Sequence, residues 1–278
     1  MGTLYLVATP IGNLEDISAR ALRVLSEARL VAAEDTRQTL KLLNHYGIRT
    51  HLVSYHEHNK LSRVDQILSG LEQGDVALVS DAGTPALNDP GYELVRAALQ
   101  AGYSVSPIPG ASAPLAALVA SGLPTDAFLY LGYLPRQASE RRAAIQAVAN
   151  LPYTLVFLES PHRLLDALAD LEKILGDRPA AVARELTKLY EEILRLPLSQ
   201  ARAHFEAHPP RGEFTLVVGG QTARPSPWDE ERLRQAILDG LADGVPPSRL
   251  ASRLASESGR ARNEVYQLIS KISKPADE

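Results

Sequence analysis

The sequence predicts an α/β protein built from two α/β domains and a small helical appendage. Three observations lead there. The chain has 278 residues, more than a single domain of about 100–150 residues holds. Up to residue 121, short apolar runs alternate with segments of helical period, the pattern of a parallel sheet with right-handed crossovers. Past a Ser121-Gly122-Leu123-Pro124 break the alternation resumes less regularly, which predicts a mixed sheet. The expected domains are residues 1–121, 122–221 and 228–278.

The elements follow in order. Residues 4–8 form an apolar run that stops at Thr9-Pro10-Ile11-Gly12-Asn13, a turn-forming cluster. Residues 18–30 carry Ala21, Leu22, Leu25 and Ala28 at helical spacing. Strands are predicted at 30–33, 51–54, 76–79 and 104–108, with helices at 36–46, 61–71 and 92–101. The second domain opens with a strand at 128–133 and an arginine-rich helix at 139–149. A buried strand at 154–158 and a helix at 161–175 follow, with Pro161 at its first position. Strands at 180–184, 189–194 and 214–218, with a helix at 199–207, complete it. Thr222-Ala223-Arg224-Pro225-Ser226-Pro227 reads as a linker. The remainder is helical, with a pair at 249–257 and 262–272 broken by Gly259, similar to a helix-turn-helix.

Composition removes several function classes. With 45% hydrophobic and 22% charged residues the chain is globular rather than disordered. The absence of cysteine excludes thiol catalysis, cysteine-ligated zinc and disulfides, and fits a reducing cytosol. No apolar stretch approaches 18 residues, and Met1-Gly2-Thr3-Leu4-Tyr5 does not read as a signal peptide, so a cytoplasmic protein without a membrane partner is expected. The net charge is −4, yet Arg249, Arg253, Arg260, Arg262, Lys271 and Lys274 face only Glu257 and Glu264 between Pro246 and Pro275. A basic tail on an acidic body points to nucleic acid.

Common nucleotide and hydrolase signatures are missing: no G-x-G-x-x-G follows the first strand, and neither a Walker A nor a G-x-S-x-G motif occurs. His56-Glu57-His58 has metal-ligand spacing without an accompanying ligand set. Instead, Thr9–Asn13, Ser80-Asp81-Ala82-Gly83-Thr84-Pro85 and Pro109-Gly110-Ala111-Ser112 each follow a predicted strand. In an open α/β sheet that is the ligand-binding edge. Glu34-Asp35-Thr36-Arg37, Glu159-Ser160-Pro161-His162-Arg163 and Arg184-Glu185-Leu186-Thr187-Lys188 also follow strands and add carboxylates and cations. For the first of these, Asp35 or Thr36 serving only as a helix cap is the alternative. Together the segments describe a polar cleft between two domains.

These segments, with Ala33, Asp89-Pro90-Gly91 and Gly212-Glu213-Phe214, occur in the order that resembles the tetrapyrrole methylase (class III) superfamily. Within it they are similar to the bacterial branch of small-subunit ribosomal RNA cytidine 2′-O-methyltransferases. The resemblance covers roughly residues 3–220 and extends to the helical tail. Two departures stand out: Ala111 occupies a position where that family often has a second proline, and Thr9-Pro10-Ile11-Gly12 replaces the Gly-Pro-Gly turn of the wider superfamily.

The resemblance implies a two-domain tetrapyrrole-methylase-like fold, S-adenosyl-L-methionine in the interdomain cleft and a homodimer. It also implies 16S rRNA of the small ribosomal subunit as substrate, at a decoding-centre cytidine. Cofactor contacts carried over by motif are Pro10, Asp81, Ala82, Gly83, Thr84, Ser112, Ala113, Phe157, Leu158 and Thr215. For the methyl transfer, Glu34, Asp35 and Glu159 are candidate bases. Arg37 and Lys188 are candidates to hold phosphate or to acidify the hydroxyl, and Glu34 and Lys188 are expected to matter most. The alternatives are a small-molecule, tetrapyrrole-type methyltransferase and a non-catalytic RNA-binding assembly protein.

Overall fold

The computed structural model describes residues 2–221 and 228–273. The expected linker at 222–227 and Lys274 of the basic tail lie outside the described residues. The chain forms two compact units, Met1–Gly220 and Gln221–Glu278.

Small and β-branched apolar runs build the first sheet of the larger unit: β1 (Thr3–Val7), β2 (Leu30–Ala33), β3 (Leu52–Ser54), β4 (Val76–Val79) and β5 (Ser104–Ile108). Their order is β3-β2-β4-β1-β5, and every pairing is parallel. Alternation along β4 explains the two covering layers. Ala77 and Val79 pack with Val24 and Leu25 of α1 (Ala19–Glu27) and Leu43 of α2 (Thr36–His45). Val76 and Leu78 pack on the other face with Ile67 and Leu71 of α3 (Lys60–Gln73) and Leu94 and Ala98 of α4 (Tyr92–Gln100). Both faces of the strand are thus buried, which is why it reads as an unbroken apolar run.

One helix was not expected. α5 (Ala113–Ala120) is short and almost wholly apolar, so it lacks the polar stripe by which an amphipathic helix is recognised. It follows β5 but buries Ala117 and Leu118 against Val156, Ala181, Ala183 and Val217 of the second sheet. That sheet consists of β6 (Phe128–Tyr133), β7 (Thr154–Glu159), β8 (Pro179–Arg184), β9 (Glu192–Pro197) and β10 (Phe214–Val218), in the order β6-β7-β10-β8-β9. β6 and β7 are parallel; the other pairs are antiparallel, so the sheet is mixed as expected. Its opposite face carries Leu155, Phe157, Leu216 and Val218 against α6 (Ala138–Val148), α7 (Leu164–Leu175) and α8 (Leu198–Ala207).

Two predicted starts move by three residues. The helix expected from Pro161 begins at Leu164, because residues 161–163 form a turn in which the Arg163 amide bonds the Ser160 carbonyl. The Arg163 side chain is drawn away to the Leu134 and Pro135 carbonyls. The strand expected at 189–194 starts only at Glu192. Residues 185–191 are held as a loop by left-handed backbone at Glu185 (φ 49°) and Thr187 (φ 64°) and by the Lys188–Glu185 ion pair.

The smaller unit packs α9 (Glu230–Ala242), α10 (Pro247–Ser258) and α11 (Arg262–Ile272) around Leu233, Ile237, Leu250, Leu254, Val265 and Ile269. Gly259, in the left-handed conformation, caps α10 and lets α11 turn back. The cationic excess belongs to α10, α11 and the turn between them, since α9 and its cap carry Asp229, Glu230, Glu231 and Asp239 against Arg232 and Arg234. Arg232 lies over the Trp228 ring and Arg260 pairs with Glu264, whereas Arg249, Arg253 and Arg262 make no side-chain ion pair among the described residues.

Candidate active site

Every strand of the first sheet is parallel, so all its carboxyl ends meet at one edge. There the loops after β1, β2, β4 and β5 face the ends of β6, β7 and β8 and the start of β10 across a cavity of about 250 Å³. The first sheet supplies Ile11, Glu34, residues 81–84 and 87–89, and 112–114; the second supplies Tyr130, Tyr133, Leu158, Ala183, Leu186 and residues 213–215. The lining therefore combines apolar wall, hydroxyls and a concentration of carboxylates.

Gly83 makes this edge compact. Its amide and carbonyl exchange hydrogen bonds with Thr9 (3.0 and 2.9 Å), tying the β4 loop to the β1 loop. It has φ +82°, and a Cβ there would come within 3.3 Å of the Ile11 side chain. Only glycine adopts this conformation readily and lets the backbone approach a ligand closely.

Of the residues expected to hold cofactor, Asp81, Ala82, Gly83, Thr84, Ser112, Ala113, Leu158 and Thr215 line the cavity. Strand pairing explains the last two: Thr215 lies opposite Leu158 in the β10–β7 register, so the two share a face. Phe157, one residue away, points to the other face and is fully buried in the core, so its ring is not part of the lining. Pro10 is half-buried beside the bridging Thr9 and does not line the cavity either.

The candidate catalytic residues separate in the same way. Glu34 lines the cavity, and its Oε2 accepts a hydrogen bond from the Asp81 amide (3.3 Å). Burial raises its pKa above the ordinary glutamate value, and the neighbouring Asp89 adds to the rise. Asp81 and Asp89 are likewise raised, chiefly by burial. Asp35 instead caps α2 through the Arg37 amide (2.9 Å) and pairs with the Arg37 guanidinium (2.7 Å). That partner lowers its pKa to about 2, and Arg37 is 87% exposed, so the pair faces solvent rather than the cavity.

Glu159 is fully buried behind β7, where Oε1 accepts from the Ser160 amide (3.0 Å) and lies 3.4 Å from Arg163, while Oε2 has no hydrogen-bond partner. Its position beneath the turn places it away from the cavity lining. Lys188 does not itself line the cavity; its Nζ donates to Glu185 (3.0 Å) and to the lining residue Glu213 (2.9 Å). Burial pulls its pKa down, but the two carboxylates outweigh it, so the ammonium is retained. Its stem lies against Gly12, where a Cβ would clash, and the Asn13 amide donates to Thr187 Oγ1 (3.1 Å). The loop after β1 is thereby joined to the loop after β8.

Several lining residues escaped sequence reasoning. Asn88 and Asp89 lie in the long connection to α4, and only the Asp89-Pro90-Gly91 turn hinted at them. Tyr130 donates to Asn88 Oδ1 (2.6 Å), and burial pushes its pKa up to about 12, so it remains a neutral phenol. Nothing in a strand pattern shows which of Tyr130 and Tyr133 faces a cavity; a bulge between Tyr130 and Gly132 turns both toward it. Away from the cavity, Lys60 is mostly covered, pairing with Glu57 (2.9 Å) and Glu93 (2.6 Å). Among the described residues no group of three or more His, Asp or Glu is placed to hold a metal ion, and no helix is long and apolar enough to cross a membrane.

Comparison with known proteins is consistent along the whole chain. The family model for tetrapyrrole (corrin/porphyrin) methylases matches residues 3–202. Over 272 residues the chain is 48% identical to the ribosomal RNA small subunit methyltransferase I of Halalkalibacterium halodurans, covering 96% of this chain and 94% of that one. The protein of the same name from Synechocystis sp. is 47% identical over 271 residues, covering 96% and 97%. Among solved structures, the uroporphyrin-III C-methyl transferase from Thermus thermophilus complexed with S-adenyl homocysteine has a TM-score of 0.54 at 22% identity, covering 79% of this chain and 98% of that one. That likeness concerns the fold. The chain belongs to the tetrapyrrole (corrin/porphyrin) methylase family, and within it to the group of ribosomal RNA small subunit methyltransferase I proteins.

Proposed function

We propose that this protein is an S-adenosylmethionine-dependent methyltransferase acting on the ribose 2′-hydroxyl of a cytidine in small-subunit (16S) ribosomal RNA. The observation that carries the reading is the near-full-length identity of 48% to a relative of that name, in a chain whose parallel-strand edge encloses a cavity. The residues present fit the cofactor. The glycine-bearing loop 81–84 offers a close backbone approach, Thr84, Ser112 and Thr215 offer hydroxyls, and Ile11, Leu87, Leu158 and Leu186 offer apolar wall.

S-adenosylmethionine, when bound, supplies a methyl group already activated on a sulfonium. The protein's task is then to align the ribose oxygen and take one proton. Glu34 is the base in this proposal: half-buried, cavity-lining and of raised pKa, it accepts the 2′-hydroxyl proton on a carboxylate oxygen. Lys188, kept charged by Glu185 and by the lining Glu213, provides the cation that faces a substrate phosphate or stabilises the forming alkoxide. Asp35 and Arg37 shape the start of α2, and Glu159 braces the 160–163 turn.

The division of labour is part of the same proposal. Residues 1–121 and 122–221 enclose the cofactor, and the segment 228–278 contributes RNA affinity through α10 and α11. Removing residues 222–278 is expected to leave S-adenosylmethionine affinity unchanged by calorimetry while weakening binding to small-subunit RNA by about tenfold or more at physiological salt. Loss of cofactor affinity on truncation would contradict this assignment. We also infer a homodimer acting in the cytoplasm, the first supported by Leu115 and Val119, exposed one turn apart on α5.

The deciding assay offers labelled S-adenosylmethionine together with small ribosomal subunits, free 16S rRNA or uroporphyrinogen. Label recovered as 2′-O-methylcytidine from the RNA is the expected outcome. Label on the tetrapyrrole would replace this function with the small-molecule alternative, and no transfer to any acceptor would favour an assembly protein.

A further inference from the structure

We propose that a groove beside the cavity, between the β8–β9 loop and the segment leading into β10, seats an unpaired nucleotide of the RNA substrate adjacent to the one methylated. The inference rests on the RNA-methylating function proposed above and adds to it a substrate subsite. The groove is lined by Arg184, Glu185, Tyr190, Arg211 and Gly212. It shares a wall with the cavity, because Leu186 and Glu213, each next in sequence to a groove residue, line the cavity. Across that wall the Glu185 amide donates to the Glu213 carbonyl, and the Glu213 amide donates to Glu185 Oε1, both at 3.0 Å. A strand of nucleic acid with its target ribose at Lys188 therefore reaches the groove with its neighbouring nucleotide.

The side chains suit an unpaired base and its phosphate. Tyr190 is 70% exposed at the loop tip beside Leu189, which is 88% exposed. An aromatic ring offered to solvent on a fixed loop is a stacking platform, and stacking accepts any base because every base has a π-face. The loop is fixed by the left-handed residues Glu185 and Thr187, by the Thr187 amide donating to Glu191 (2.6 Å) and by the Glu191 amide donating to the Lys188 carbonyl (3.1 Å).

The nearby carboxylates are already committed. Glu185 and Glu213 hold Lys188, Glu192 pairs with Arg184 (3.5 Å), and Glu191 accepts from Thr187. Arg184 Nε in turn donates to the Arg211 carbonyl (2.9 Å), which positions that residue. The Arg211 guanidinium is exposed and has no hydrogen-bond or ion-pair partner among the described residues, leaving one cation free beside the ring. Ring and cation together are the recognition elements for single-stranded nucleic acid.

The test uses full-length protein with small ribosomal subunits lacking the modification. Tyr190→Ala is expected to lower kcat/KM for subunits by about tenfold to a hundredfold, the range of one lost base stack. Tyr190→Phe keeps the ring and should stay within about threefold of wild type. Arg211→Ala should weaken subunit binding and reduce the slope of log affinity against log salt by about one. S-adenosylmethionine affinity and sedimentation mass are expected to be unchanged in all three. If wild type methylates subunits and Tyr190→Ala does so equally well, the groove assignment fails while the function stands; if wild type itself does not methylate RNA, the function fails first. A Tyr190→Ala protein that changes its oligomeric mass or loses cofactor affinity would show that the loop serves packing, which also overturns the proposal.

Discussion

Replacing Glu34 with glutamine is expected to lower kcat for RNA methylation by roughly 10²–10⁴-fold, the usual contribution of a positioned general base. Glutamine keeps the shape, and its carbonyl still accepts from the Asp81 amide, so cofactor affinity should change little. What disappears is the proton acceptor. The pH profile gives a second readout. Burial, then Asp89, raises the Glu34 pKa above 4.5, and a base works only when ionised. Activity should therefore fall as pH drops through a value higher than an ordinary glutamate's, and Asp89→Asn should move that limb to lower pH. A Glu34→Gln enzyme within about threefold of wild-type kcat would remove Glu34 from the chemistry.

The second large effect concerns stability. Asp170 on α7 and Arg141 on α6 are each 6% exposed and joined at 2.7 Å, and Arg142 holds the other Asp170 oxygen at 2.7 Å. Asp170→Ala leaves the buried Arg141 charge without its main partner, and truncating one side of a buried pair costs about 3–5 kcal/mol. For a domain of this size Tm should fall by roughly 10 °C, measured by thermal melting at pH 7. The pH dependence has a definite sign. Burial pushes the Asp170 pKa up, but Arg142 and Arg141 outweigh it, and the native value lies below 3.8. The stabilisation is fully present above 3.8 and is lost as pH falls through the lower native value. The gap between wild type and variant should close in strong acid. Equal melting temperatures at pH 7 would show that the two arginines find other partners at no cost.

The boundaries that moved share a cause. At 161–163 a proline suited to a first helical position, and at 189–191 the strand pattern, favoured an earlier start, while side chains were engaged elsewhere: Arg163 on the Leu134 and Pro135 carbonyls, Lys188 on Glu185 and Glu213. Long-range polar contacts of this kind leave no periodic trace. α5 was hidden for the opposite reason, since a helix without a polar face has no amphipathic pattern. Asp35 shows how far a motif reads by itself. Glu34 and Asp35 are adjacent and chemically alike, yet one lines the cavity and the other caps a helix and binds Arg37.

The order of apolar runs and breakers was enough to predict a parallel sheet followed by a mixed one, because burial on one or two faces writes its period directly into the chain. It also marked the loops after β1, β4 and β5 as a binding edge, since parallel strands necessarily end together. Which side chains on that edge meet was settled only by the folded protein. Strand register puts Leu158 beside Thr215 and hides Phe157, and the β6 bulge turns Tyr130 and Tyr133 inward. A pKa such as that of Glu34 depends on burial and on carboxylates some fifty residues away in the chain, which come together only when the sheet forms. Proximity of distant residues is a property of the tertiary structure, whereas periodicity is local and survives in the unfolded sequence.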